Sequence, residues 1–112
     1  MDEETLIVAL SFLVPGIIEI ILSVPLILEK IKPNVFYGFR VKKTLSNKDI
    51  WYKANKYTGK DMLIAGLILT IGSIGFFVVE MDIVTIAIIG LLLLTIPLAT
   101  MLVRAFIYLK KL

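Results

Sequence analysis

Three apolar runs, each about the length that crosses a bilayer, constrain this chain more than any other feature. Residues 5–28 are interrupted only by Ser11, Pro15, Gly16, Glu19, Ser23 and Pro25. Residues 62–79 carry no charge at all, and neither do residues 83–103, after which apolar sequence continues to Leu109. A spanning helix needs about 20 predominantly apolar residues. None of the runs alternates polar with apolar as a barrel strand would, and a helix satisfies its own backbone hydrogen bonds inside hydrocarbon. Hydrophobic residues make up 59% of the 112-residue chain, more than a soluble domain of this size can cover with polar surface. The expected fold is an all-α integral membrane protein of one domain, with three transmembrane helices.

The charges order those helices. Nine basic residues lie in the segment 29–61, between the first two runs, and Arg104, Lys110 and Lys111 close the chain. With three crossings these two regions share one face. The other face carries Asp2, Glu3, Glu4, Glu80 and Asp82 and no Lys or Arg. The positive-inside rule then puts the N-terminus outside and the C-terminus and long loop in the cytoplasm of a cell membrane. Trp51 and all four tyrosines fall on the basic side, where an interfacial aromatic belt belongs. The acidic N-terminus and the long first run predict a retained helix rather than a cleaved signal peptide.

The loop has its own local order. Pro33 stops the first helix. Ser46 followed by Asp49 has the form of a capping box and predicts a short amphipathic helix from Asn47 to about Thr58. Ile50, Trp51, Ala54 and Tyr57 would form its apolar stripe and Lys48, Lys53, Lys56 and Lys60 its flanks. Such a helix lies in the interface, aromatic face in the headgroups and lysines against anionic lipid. Gly59 would let the chain turn into the second span.

From Pro33 to Gly59 the residues Pro33, Asn34, Gly38, Arg40, Thr44, Leu45, Ser46, Trp51, Asn55 and Gly59 follow the pattern P-N-x-x-x-G-x-R-x-x-x-T-L-S-x-x-x-x-W-x-x-x-N-x-x-x-G. This segment resembles the signature of the SdpI-like family, membrane immunity proteins against a sporulation-delay toxin. The resemblance implies a small bacterial or archaeal membrane protein that resists a membrane-active peptide toxin without enzymatic chemistry and docks a cytoplasmic regulator.

The same residues support two readings each. Gly38 and Arg40 are either a turn with an interfacial anchor, or a clamp in which Arg40, with Asn34 and Thr44, grips a phosphate or carboxylate. Ser46 is most simply a helix cap; Trp51 is either an interfacial anchor or, with Asn55, part of a folded plug over the cytoplasmic mouth of the bundle. Asn55, an amide on a membrane-facing helix, needs a partner, either a loop backbone group or Arg40. Glu19, the only ionisable residue deep in a span, is a functional candidate by position. It either handles a proton or cation, or is a neutral acid hydrogen-bonded to Thr70, Ser73 or Thr95. Gly66, Thr70 and Ser73 form a small-residue stripe suited to close packing against span one, span three or another copy, and three helices enclose so little that a homodimer is expected.

The absence of cysteine and histidine removes disulfides, thiolate nucleophiles and Cys/His metal sites, and no cofactor is expected. Asp49 and Asp61 stand apart in sequence, which argues against an enzyme. The basic loop suits the adjacent anionic headgroups rather than nucleic acid. The competing function is a small transporter or ion-conducting oligomer centred on Glu19.

Overall fold

A computed structural model describes all 112 residues. It contains no strand and four helices: α1 (Glu3–Ile27), α2 (Lys42–Ser46), α3 (Lys48–Val78) and α4 (Ile83–Leu109). The three long helices are each apolar and long enough to cross a membrane. The short helix between the first and second is a small one, α2, and lies earlier than the segment 47–58.

That segment is the first half of α3 and lies on the same axis as the second span. Its start is set by Asn47, not Ser46. The Asn47 side-chain oxygen accepts from the backbone N–H of Asp49 (3.0 Å) and Ile50 (3.2 Å), the N-cap pattern. Ser46 turns back and donates to the Lys43 carbonyl at 3.2 Å, closing α2. Gly59 does not turn the chain. It is an interior helical position where a Cβ would lie 3.1 Å from Leu26 Cβ and Ile27 Cγ1, so the glycine lets the end of α1 approach α3. At about 1.5 Å per residue, the 31 residues of α3 exceed the roughly 30 Å hydrocarbon thickness. The helix therefore carries residues 48–61 past the apolar layer.

Helix α3 is the central element, with α1 and α4 packed on it. The contact with α1 is made by the expected small-residue stripe. A Cβ on Gly66 would meet the Gly16 carbonyl oxygen and Glu19 Cβ, both at 3.0 Å, and a Cβ on Gly16 would meet the Thr70 backbone nitrogen at 2.9 Å. Gly72 instead faces Leu93 of α4. Towards the acidic end the three helices close on one apolar cluster of Ala9, Phe12, Leu69, Phe76 and Ile86. Gly90 of α4 lies directly against the Phe12 ring.

Both acidic-end helices begin at an aspartate. The Asp2 carboxylate accepts from the Thr5 N–H at 2.7 Å, and the Thr85 hydroxyl donates to Asp82. These hydrogen bonds hold both carboxyls below the usual carboxylate range, so this end stays negative into mild acid.

The opposite end of α1 finishes in a Schellman motif. Lys30 N–H donates to the Pro25 carbonyl at 3.0 Å and Glu29 N–H to Leu26 at 3.2 Å. Glu29 takes the left-handed position with φ 57°, a place usually given to glycine. This reversal sends the chain back over the bundle end rather than away from it.

Candidate functional site

The signature residues assemble into a folded cap, residues 29–47, seated on the first turns of α3. Most of their polar groups are used to satisfy the cap's own backbone. Asn34 uses both ends of its amide: the nitrogen donates to the carbonyls of Lys32 (2.7 Å) and Tyr37 (3.1 Å), and the oxygen accepts from the N–H groups of Phe36 (2.9 Å) and Tyr37 (2.7 Å). One side chain thereby sets the turn at 34–37. Thr44 is fully buried. Its hydroxyl donates to the Phe39 carbonyl at 2.8 Å and accepts from Val41 N–H at 3.0 Å.

Two side chains of α3 hold this cap down. Trp51 Nε1–H donates to the Ile31 carbonyl at 2.8 Å. Asn55 Oδ1 accepts from Phe39 N–H at 2.6 Å, while its nitrogen donates to the Trp51 carbonyl at 3.0 Å. The partner of Asn55 is therefore a loop backbone group and not Arg40. Gly38 passes over both side chains with φ 115°. A Cβ there would stand 2.7 Å from Asn55 Oδ1 and 3.1 Å from the Trp51 ring.

Two expectations are corrected here. Trp51 does not anchor in the headgroups: it is fully buried, as are Ala54 and Asn55, because the cap covers that stripe. Nor do Asn34 and Thr44 form a clamp with Arg40, since backbone groups occupy both. Arg40 itself is exposed, and its Nη1 donates to the Val35 carbonyl at 2.5 Å. Its remaining donors point to no carboxylate, because the chain's one ion pair is Arg104–Asp61.

That ion pair was not visible in the sequence, where Asp61 stood alone. Arg104 Nε reaches Asp61 Oδ2 at 2.7 Å between α4 and α3. The same guanidinium lies 5.3 Å from the Tyr57 ring centroid, and Tyr57 stacks on Tyr108 at 4.1 Å. Lys43 donates to the Leu109 carbonyl at 2.7 Å, closing the α4 C-terminus, where orphan carbonyls favour a cation. The two basic regions thus share one end of the bundle. Tyr37 is a further missed contact: its hydroxyl donates to the Leu22 carbonyl of α1, and burial raises its pKa. None of these pairs has a short sequence spacing that could have signalled it.

Glu19 is separate from the cap. It is half-buried against Gly66, and its Oε2 has no hydrogen-bond partner. The hydroxyls of Thr70 and Ser73 are also unpartnered, so neither is bonded to it. Thr95 is on an exposed face and donates to the Leu91 carbonyl at 2.6 Å. Glu19, against Gly66, and Thr70, against Gly16, form a polar seam in the α1/α3 contact. The chain has no cluster of three or more acidic residues suited to a metal ion.

A three-span helical bundle with a basic, hydrogen-bonded cap at one end defines a multi-pass membrane protein whose distinctive part is the cap. The chain belongs to the SdpI/YfhL protein family, whose sequence model matches residues 30–103. The match takes in the cap, all of α3 and most of α4. No curated protein and no solved structure matches the chain.

Proposed function

We propose that this chain is a membrane immunity protein, non-enzymatic, that protects its cell from a membrane-active peptide toxin through the outer face of the cap. One observation carries the proposal. The signature side chains Asn34, Thr44, Trp51 and Asn55 are taken up by hydrogen bonds that hold the cap together and to α3, which leaves Val35, Phe36 and Arg40 exposed on its outside. Phe36 is 87% exposed, and an aromatic beside an unpaired guanidinium is the composition of a recognition patch. The same patch would serve a cytoplasmic regulator, and the surrounding lysines would hold the cap against anionic headgroups.

The proposed orientation puts the cap in the cytoplasm and the acidic end outside, following the positive-inside rule. Because the chain has no cysteine, a single Phe36→Cys or Glu80→Cys reports its side directly. A membrane-impermeant maleimide applied to intact cells should label Glu80→Cys and leave Phe36→Cys unlabelled until the cells are opened. The reverse pattern overturns the orientation.

The function is tested by expressing the chain in a sensitive bacterium challenged with a panel of membrane-active peptides. Loss of one charge-assisted contact is worth about tenfold in affinity. Arg40→Ala, at equal membrane levels, should therefore lower the tolerated toxin concentration about tenfold, and Phe36→Ala should lower it as well. A wild-type chain that protects against none of them defeats the immunity proposal. The unpartnered seam at Glu19 supports a second reading, a small transporter or ion-conducting oligomer. Protection lost in Glu19→Gln but kept in both cap variants favours that reading instead.

A further inference from the structure

Beneath the cap lies a cavity of about 260 Å³. Leu22 and Leu26 of α1 form one wall, and Met101, Leu102 and Ala105 of α4 form the other. Cap residues 37–40 roof it, and Thr58 of α3 joins the lining. Leu102 is 53% exposed and Leu22 39%, so the cavity opens sideways, where the bilayer lies. It is smaller than the roughly 300–1,000 Å³ of pockets that enclose whole ligands, a size suited to one hydrocarbon chain.

One polar feature stands on this apolar slot. Arg40 lines it with no carboxylate partner, in a stretch, residues 30–48, that has six basic residues and no acid. The planar donors of arginine match phosphate oxygens. We propose that this cavity binds a single anionic phospholipid, with one acyl chain between α1 and α4 and the phosphate on Arg40. The site would make a bilayer lipid part of the bundle where α1 and α4 do not meet, and it stands independently of any toxin.

Trp51 is the chain's one tryptophan, and its ring lies directly behind the roof residue Gly38. Bromine on an acyl chain quenches indole fluorescence only at short range, so the native chain reports its own occupancy. The full chain is placed in phosphatidylcholine bilayers containing a small, equal fraction of dibrominated phosphatidylglycerol or dibrominated phosphatidylcholine. The brominated phosphatidylglycerol should be preferred at least about fivefold, the contribution of one basic residue at the surface. Arg40→Gln should bring the two lipids to parity. Ala105→Leu, which narrows the slot, should weaken quenching by both. Lys53→Ala and Lys56→Ala alter exposed lysines outside the lining and should keep the preference. An unchanged Trp51 emission maximum without brominated lipid verifies that each variant keeps its cap. Equal quenching by the two lipids in the wild type overturns the proposal. So does a preference that falls as far in the lysine variants as in Arg40→Gln, which would reveal diffuse surface attraction.

Discussion

Replacing Gly38 by alanine is expected to open the cap and to cost about 2–6 kcal/mol, the sum of two effects. The first is conformational: a side chain at φ 115° occupies a region nearly reserved for glycine, at about 1–3 kcal/mol. The second is steric. The new Cβ would stand 2.7 Å from Asn55 Oδ1, the atom that accepts from Phe39 N–H. Displacing it leaves a buried amide unpaired, worth about 1–3 kcal/mol. Trp51 supplies the measurement. Buried under Gly38 in the wild type, it should emit at longer wavelength in Gly38→Ala, and the thermal midpoint in detergent should fall. The two effects separate in a double-mutant cycle. Asn55→Ala removes the oxygen that the Cβ strikes, so the double variant should cost less than the two single changes added together. Additive losses, or an unchanged Trp51 spectrum, would contradict a cap locked at this contact.

This lock shows why the family pattern in residues 33–59 is so demanding of residue type. Asn34 must donate twice and accept twice within one turn, which only a side-chain amide can do. Trp51 must fill a covered space and still reach the Ile31 carbonyl. Gly38 must cross above both Trp51 and Asn55. The pattern describes a frame, and the side chains most available to a partner, Val35 and Phe36, are positions that it leaves free. Arg40 is the exception: matched by the pattern yet exposed, it is the residue on which the proposed recognition patch and the proposed lipid site both converge.

The three spans were legible because the bilayer imposes a single requirement, a long apolar helix, that leaves a long uniform signal. The boundaries of α3 were not. Ser46 and Asn47 are both good caps, and the choice depends on which oxygen reaches the first free N–H groups. Gly59 reads as a turn in isolation and acts as a contact point only because α1 ends beside it. Trp51 fits an interfacial belt by residue type, but the cap returns over it because Glu29 reverses the chain, an event with no glycine to announce it. Contacts such as Asn55 to Phe39, or Asp61 to Arg104, arise from tertiary packing and have no periodicity to read. The small-residue stripe lay between these extremes: its packing role was evident, while its partner, α1, required the bundle.

That α1/α3 contact carries the second large effect. Gly16→Leu is expected to separate the two helices and destabilise the bundle by about 3 kcal/mol, the upper end of ordinary overpacking. The magnitude follows from what the added carbon meets. Beyond Thr70 Oγ1 at 2.5 Å, it meets the Thr70 backbone nitrogen at 2.9 Å and Cα at 3.2 Å, and a helix backbone cannot rotate aside as a side chain can. Gly90 makes the contrast, since its neighbour is the Phe12 ring, a side chain with some freedom to move. Gly75 is the control, with nothing within 4 Å of a Cβ, and Gly75→Ala should be neutral or stabilising by up to about 1 kcal/mol through helix propensity. Unfolding in mixed micelles of dodecyl maltoside and increasing dodecyl sulfate, followed by circular dichroism, ranks the variants. Gly16→Leu should unfold at clearly lower dodecyl sulfate, and Gly75→Ala at or above the wild-type midpoint. A Gly16→Leu midpoint equal to wild type would mean that α1 and α3 do not meet backbone to backbone. The small-residue stripe on α3 would then have to face a different helix or a second copy of the chain.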